Sequence, residues 1–135
     1  MPLSRSLIKC IKIFIDLSDK PEKEMTYLET GLDEGNSAWD ALTNFNFKKI
    51  ISIEIDKTKI DKAKQKLQYE NDYSKIILIE GNSPIQLRKI FDHSTDIIFL
   101  DAHGLYNDID PTKIYPLEKE LKFLINKMDE HQLII

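Results

Sequence analysis

The sequence has little that could fix it covalently or carry it into a membrane. It holds one cysteine, Cys10, in 135 residues. No internal disulfide can form, and no cysteine-based zinc site exists. Such cysteine usage fits a reducing compartment, and a cytoplasmic location is expected. No apolar run reaches the roughly 18 residues that a membrane-spanning helix needs, so no membrane partner is expected. The N-terminal stretch LIKCIKIFIDL is interrupted by Lys9, Lys12 and Asp16 and is not followed by a small-residue cleavage site. It is therefore not expected to be a signal peptide. Positive charge is also short: the net charge is −4, which leaves no footprint for a nucleic-acid partner. Internal repeats and low-complexity tracts are absent as well.

What remains is the composition of an ordinary globular protein, 41% hydrophobic and 31% charged. The length suits one domain with a real core. Its organisation reads as residues 1–24, a helical segment and linker, followed by a domain over 25–135. Residues 3–17 are ambiguous. Leu3, Leu7, Ile8, Ile11, Phe14 and Ile15 fit one helical face, whereas Ile11, Ile13, Ile15 and Leu17 fit strand alternation. A helix packed on the rest of the chain is the favoured reading, with a partner-binding helix as the alternative. SDKPEKE, with Pro21, reads as the linker.

From there strands and helices alternate. MTYLE (25–29), KIISIEI (49–55), KIILIE (75–80), DIIFLDA (96–102) and the terminal QLII read as strands. Residues 37–45, 57–69, 83–91 and 116–128 read as helices, the third with Pro84 well placed in its first turn. Alternation of this kind gives a parallel sheet with right-handed crossovers. Near-continuous apolar strands imply that helices cover both faces. The expected fold is thus α/β, a doubly wound parallel sheet of about five strands. Ligands of such a sheet lie outside the carboxyl ends of the strands.

Polar residues gather at those ends: Glu29, Gly31, Gly35, Asn36 and Ser37 after the first strand, Glu54 and Asp56 after the second, Gly81, Asn82 and Ser83 after the third, Asp101 and His103 after the fourth. Glu54 follows Glu29 by about 25 residues, at the end of the next strand. An acid there accepts the hydroxyls of a ribose in dinucleotide folds. A helix-capping role is the alternative, although Asp56 suits the cap of the helix at 57–69 better. The loop Gly31-Leu32-Asp33-Glu34-Gly35 lacks the three-glycine spacing of a pyrophosphate cradle. Asp33 and Glu34 are expected near the ligand with no Lys or Arg beside them, which disfavours a diphosphate and hence an NAD-type enzyme. A ligand with a ribose, a positive charge and no phosphate would be welcome, and S-adenosylmethionine has those properties. The alternative for both glycines is a tight turn that binds nothing.

The ordered set ETGLDEGNS, SIEID, EGNS and FLDAH resembles the class I S-adenosylmethionine-dependent methyltransferases, and most closely their small-molecule O-methyltransferase branch. The resemblance covers residues 25–135. It implies a Rossmann-like fold whose full form has seven strands, the last two absent from this chain. It further implies that Glu29 and Gly31 line the methionine part of the cofactor, that Gly35 allows close backbone approach and that Ser37 belongs to the cofactor-binding set. Glu54 would hold the ribose, Ile55 would pack on the adenine, and Asn82 and Ser83 would meet its edge. Asp101 would sit beside the transferred methyl group and, in metal-dependent members, would ligate Mg2+ or Ca2+. Asn82 departs from the aspartate frequent at its position.

Activity would then be methyl transfer to a hydroxyl of a small molecule or sugar. A non-catalytic methyltransferase-like domain that binds only the cofactor or a partner is the alternative. His103 is the best local candidate for a base, the other readings being a partner of Asp101 or a plain loop histidine. Residues 104–116 read as a substrate lid or a solvated loop. Trp39 reads as helix packing rather than a stacking platform. The terminal strand, if left bare, offers an edge through which a homodimer could form.

Overall fold

The computed structural model describes residues 2–102, 109 and 115–135. Five parallel strands form one sheet: β1 (Thr26–Thr30), β2 (Lys49–Glu54), β3 (Ile76–Glu80), β4 (Thr95–Leu100) and β5 (Leu133–Ile134). Their order is β3-β2-β1-β4-β5. The chain steps outward from β1 to β3, then returns to the other side of β1 with β4. That reversal between β1 and β4 is the switch point at which such sheets open a crevice.

Among the described residues five α-helices flank the sheet: α1 (Arg5–Leu17), α2 (Asn36–Asn44), α3 (Lys57–Leu67), α4 (Ser83–Ile90) and α5 (Leu117–Lys127). The ambiguous N-terminal segment is helical. Ser4 caps α1 by accepting from the backbone N–H of Leu7 at 3.2 Å. Ile11 is fully buried on its inner face, a contribution of roughly 2 kcal/mol. The preceding backbone is tied down too, because Leu3 N donates to Asp40 Oδ2 of α2 at 2.9 Å.

Two apolar layers result. On one face of the sheet, Tyr27, Ile50 and Ile97 pack with Ile11 of α1, Ala38 and Ala41 of α2, and Ile60 and Ala63 of α3. Phe47 stacks between Tyr27 and Phe45 there, with ring centroids 5.6 and 5.0 Å away. On the other face, Leu28, Ile51, Ile53 and Ile98 pack with Leu87 of α4 and Leu124 of α5. Strand residues point alternately to the two faces, so Tyr27 and Glu29 enter the first layer while Leu28 and Thr30 enter the second.

The linker is anchored as firmly as the strands. Asp96, 6% exposed at the start of β4, accepts from the backbone N–H of Thr26 at 2.8 Å and from Lys20 Nζ through both oxygens at 3.1 and 3.0 Å. This fixes where β1 begins, and so where it ends. Among the described residues, no helix is long and apolar enough to cross a membrane.

Candidate functional site

β1 delivers the chain to the switch point and turns sharply. Gly31 has φ +81, and a Cβ on it would lie 2.2 Å from the carbonyl oxygen of Asp101. Only glycine lets the end of β1 pass the end of β4 so closely. Asp101 N in turn donates to Thr30 O at 3.0 Å. Gly35, with φ +89, also permits a close approach, but the neighbour is Ala63 of α3, whose Cβ would be 3.1 Å from an added Cβ. Its tightness serves helix packing.

Between these glycines the loop is held by charge. Glu54, at the end of β2 and 7% exposed, accepts from Asp33 N at 2.9 Å and from Asp56 N at 3.0 Å, one N–H on each oxygen. Asp33 has φ +52, a left-handed backbone conformation that aspartate tolerates better than most residues. Asp56 caps α3 by accepting from Thr58 N at 2.9 Å, as its position before that helix implies.

The expectation that no cation stands beside Asp33 and Glu34 is corrected here. Lys59 lies 3.1 Å from Asp33, and Lys62 lies 2.9 Å from Glu34. Both come from α3, one helix and one strand later in the sequence, and one helical turn apart they face the loop together. Lys66, the next on that side, reaches Asn36. Partial burial pushes the Asp33 carboxyl up, but Lys59 more than reverses this and holds it below the usual range. The loop is therefore neutralised from within, and its acidity is no argument against a phosphate.

Glu29 is fully buried at the end of β1. It accepts from Ser52 Oγ at 2.7 Å and from Tyr27 Oη at 3.1 Å. Burial pushes its carboxyl up to about 7, against the pull of the neighbouring hydroxyls of Ser37, Ser52 and Tyr27. Ser37 lies in the first turn of α2, its side chain is fully buried, and its Oγ forms no hydrogen bond of normal geometry among the described residues. A hydroxyl at a helix N-terminus, held only loosely beside Glu29, is suited to receive a carboxylate or another polar ligand group.

Asn82 precedes α4 as its N-cap residue and makes no side-chain capping bond, which leaves its amide available. Ser83 behaves otherwise. Its hydroxyl turns inward and donates to Glu120 of α5, away from the place expected for an adenine edge. Ile55 is half-buried just past Glu54. Asp101 and Ala102 line a cleft of about 440 Å³ with Leu100, Tyr115, Leu117 and Glu118.

His103, and Asp108, Asp110 and Lys113 of the segment read as a lid or loop, lie outside the described residues. Among the described residues no group of three or more His, Cys, Asp or Glu side chains is placed to hold a metal ion, so the expected Mg2+ or Ca2+ role of Asp101 finds no partner ligands there. Trp39 is a packing residue at the α2–α3 surface. Its Nε1 donates to Glu70 at 2.9 Å, and Lys66 Nζ lies 5.8 Å from its ring. His93 and His131 sit at the amino ends of β4 and β5, beside Lys20 and Asp96, remote from the site.

Sequence reasoning missed Lys59, Lys62, Thr30 and Glu120. The lysines had a signal, since they repeat at one-turn spacing behind an acidic loop. Glu120 had one too, because it occupies the buried face of α5 four residues before Leu124.

No family profile matches the chain, and no curated protein matches its sequence. Solved structures do match. One is a candidate caffeoyl-CoA O-methyltransferase from Staphylococcus aureus, 22% identical, with TM-score 0.69 over 99% of this chain and 57% of that one. Another, from Streptococcus mutans, is a candidate methyltransferase in complex with S-adenosylhomocysteine, 13% identical, with TM-score 0.63 over 90% of this chain and 66% of that one. A third is the S-adenosylhomocysteine-bound methyltransferase PaMTH1 from Podospora anserina, 19% identical, with TM-score 0.61 over 81% of this chain and 44% of that one. The chain thus spans less than two thirds of each. Its α/β sheet has the Rossmann-like methyltransferase fold.

Proposed function

We propose that this chain forms the S-adenosylmethionine site of a methyltransferase that acts on a hydroxyl group of a small molecule or sugar. The observation that carries the reading is Glu54. It is a nearly buried carboxylate at the end of β2, preset by two backbone N–H groups, one on each oxygen. A carboxylate oxygen accepts more than one hydrogen bond, so both retain capacity for the two hydroxyls of a ribose. The neutralised loop admits a phosphate as well, which is why NAD belongs in the test.

The remaining roles follow from position. Glu29, Gly31 and the Ser37 hydroxyl stand where the methionine end would lie. Ile55 and the uncommitted Asn82 amide stand where the adenine would lie, with the backbone N–H of Ser83 in place of its hydroxyl. When bound, the cofactor supplies an electrophilic methyl group on a sulfonium sulfur. The protein's task is then to align the acceptor oxygen, and alignment is worth up to about 7–11 kcal/mol in ideal cases. Asp101 borders the cleft in which the acceptor would lie. His103 is assigned the acceptor proton. The described residues do not fit a divalent ion, and no step is assigned to one.

Calorimetric titration with S-adenosylhomocysteine tests this. Micromolar binding, at least about tenfold weaker in Glu54→Ala and with no heat from NAD, is the expected result. A folded protein that binds neither ligand would overturn the reading in favour of a non-catalytic domain. Binding of NAD alone would overturn it in favour of a dinucleotide enzyme.

A further inference from the structure

Beneath the site, on the sheet face covered by α4 and α5, three polar side chains meet inside an apolar layer. Glu120 of α5 is fully buried. It accepts a hydrogen bond from Ser83 Oγ, which is itself only 7% exposed. Thr30, also fully buried, brings its hydroxyl close enough to pull on the Glu120 carboxyl. Glu120 Oε2 and Thr30 Oγ1 nevertheless make no hydrogen bond of normal geometry among the described residues. No Lys or Arg of the described residues forms a salt bridge with Glu120. Around them lie Leu28, Ile98, Leu87 and Leu124.

Such an arrangement is a poor way to stabilise a core. Burying a carboxyl without a cation is costly, and apolar replacement of a buried polar group is often neutral or favourable. A leucine at position 120 would simply continue the stripe that contains Leu124. The acid is better explained by what it joins. Thr30 immediately precedes Gly31, and Ser83 immediately follows Asn82. Those are the two segments assigned to the methionine and adenine ends of the cofactor. Glu120, on a third element, α5, bonds to Ser83 and lies near enough to Thr30 to feel its hydroxyl.

We propose that Glu120 is a positioning residue that ties the N-terminus of α4 to the end of β1, and so sets the separation of the two halves of the cofactor cleft. Its importance for binding rests on the reading of that cleft given above, but the tie itself belongs to the ligand-free protein. Burial raises the Glu120 carboxyl above its ordinary range, and glutamine matches the glutamate side chain in shape and length. It keeps an acceptor for Ser83 and adds a donor for Thr30.

The test compares Glu120→Gln, Glu120→Leu and Ser83→Ala with the wild type by two readouts. The first is amide exchange in the ligand-free protein at Gly31–Asp33, whose N–H groups bond to Ile53 and Glu54, and at Ile85 and Gln86, whose N–H groups bond to Asn82. The second is calorimetric affinity for S-adenosylhomocysteine. Glu120→Gln is expected to match wild type in both within about twofold. Glu120→Leu is expected to keep its melting temperature, yet to speed exchange in both segments and to weaken affinity by about tenfold. Ser83→Ala should speed exchange at Gly31–Asp33, although that segment does not contain the mutated residue.

A folded Glu120→Leu with unchanged exchange in both segments overturns the proposal. If that variant fails to fold, unchanged Gly31–Asp33 exchange in Ser83→Ala overturns it. Failure of Glu120→Gln to restore exchange overturns it as well. If wild type binds no S-adenosylhomocysteine, the cofactor reading fails while the exchange data still decide the tie.

Discussion

Glu29 and Ser52 sit directly opposite each other in the β1–β2 register, and the serine hydroxyl donates to the carboxylate at 2.7 Å. With Tyr27 on its other oxygen, Glu29 is solvated by hydroxyls, and it makes no salt bridge among the described residues. Its carboxyl is raised from 4.5 to about 7. The folded state therefore holds a proton that the unfolded chain has already released between these values. By linkage, stability falls as pH rises from 4.5 to 7 and levels off above. The full effect is about 3 kcal/mol. Urea unfolding across this range should show that decline in wild type and much less of it in Glu29→Gln. Parallel curves for the two proteins would refute the assignment.

Gly31→Ala should be among the most damaging single-methyl changes in the chain. The added carbon meets the Asp101 carbonyl at 2.2 Å and the backbone is left-handed, so both steric and torsional terms oppose it. A loss on the order of 3 kcal/mol or more is expected in chemical denaturation. Gly35→Ala meets the Ala63 methyl at 3.1 Å and Leu67 Cδ1 at 3.4 Å and should cost less, roughly 1–2 kcal/mol.

Asp96→Ala removes the acceptor of one backbone N–H and of Lys20 at the start of β4. It leaves the Thr26 donor buried without a partner, so about 3 kcal/mol should be lost. Lys20→Met should cost less than Asp96→Ala, because the backbone bond survives. Equal losses in the two variants would show that the ion pair, rather than the strand anchor, dominates.

Lys59→Ala should change global stability by less than about 1 kcal/mol, and Lys62→Ala should leave it essentially unchanged, since both are solvent-screened surface pairs. Their effect should be local: faster amide exchange at Asp33 and Glu34, and a matching acceleration of wild type in high salt. Salt-independent exchange in wild type would show that Glu54 alone holds the loop.

The fold was legible because each of the first four strands is an apolar run closed by an acid or a glycine, and because Pro84 and Asp56 mark helix starts where the structure has them. The N-terminal segment resolved as a helix since its seam of Leu7, Ile8, Ile11 and Phe14 found a partner surface that the sequence alone does not reveal. The site was legible along the chain and opaque across it. Glu54 and Glu29 could be placed from strand ends. Lys59 and Lys62 could not, because their meaning depends on which side of α3 faces the loop. Ser83 looked like a ligand-facing residue since its local context is that of a helix start. Its hydroxyl instead answers to Glu120, 37 positions away.

The strand order has a consequence for how the molecule comes into being. β1, β2 and β3 pair with neighbours about 25 residues away, whereas joining β4 to β1 closes a span of about 70 residues, at an extra entropic cost of roughly 1 kcal/mol. On a ribosome the first three strands also emerge before the fourth is made. The crevice between β1 and β4 should thus be the last feature to assemble, and pulsed hydrogen labelling during refolding should find β1–β3 protected before β4. A newborn chain would pass through a stage with most of its sheet and no binding site.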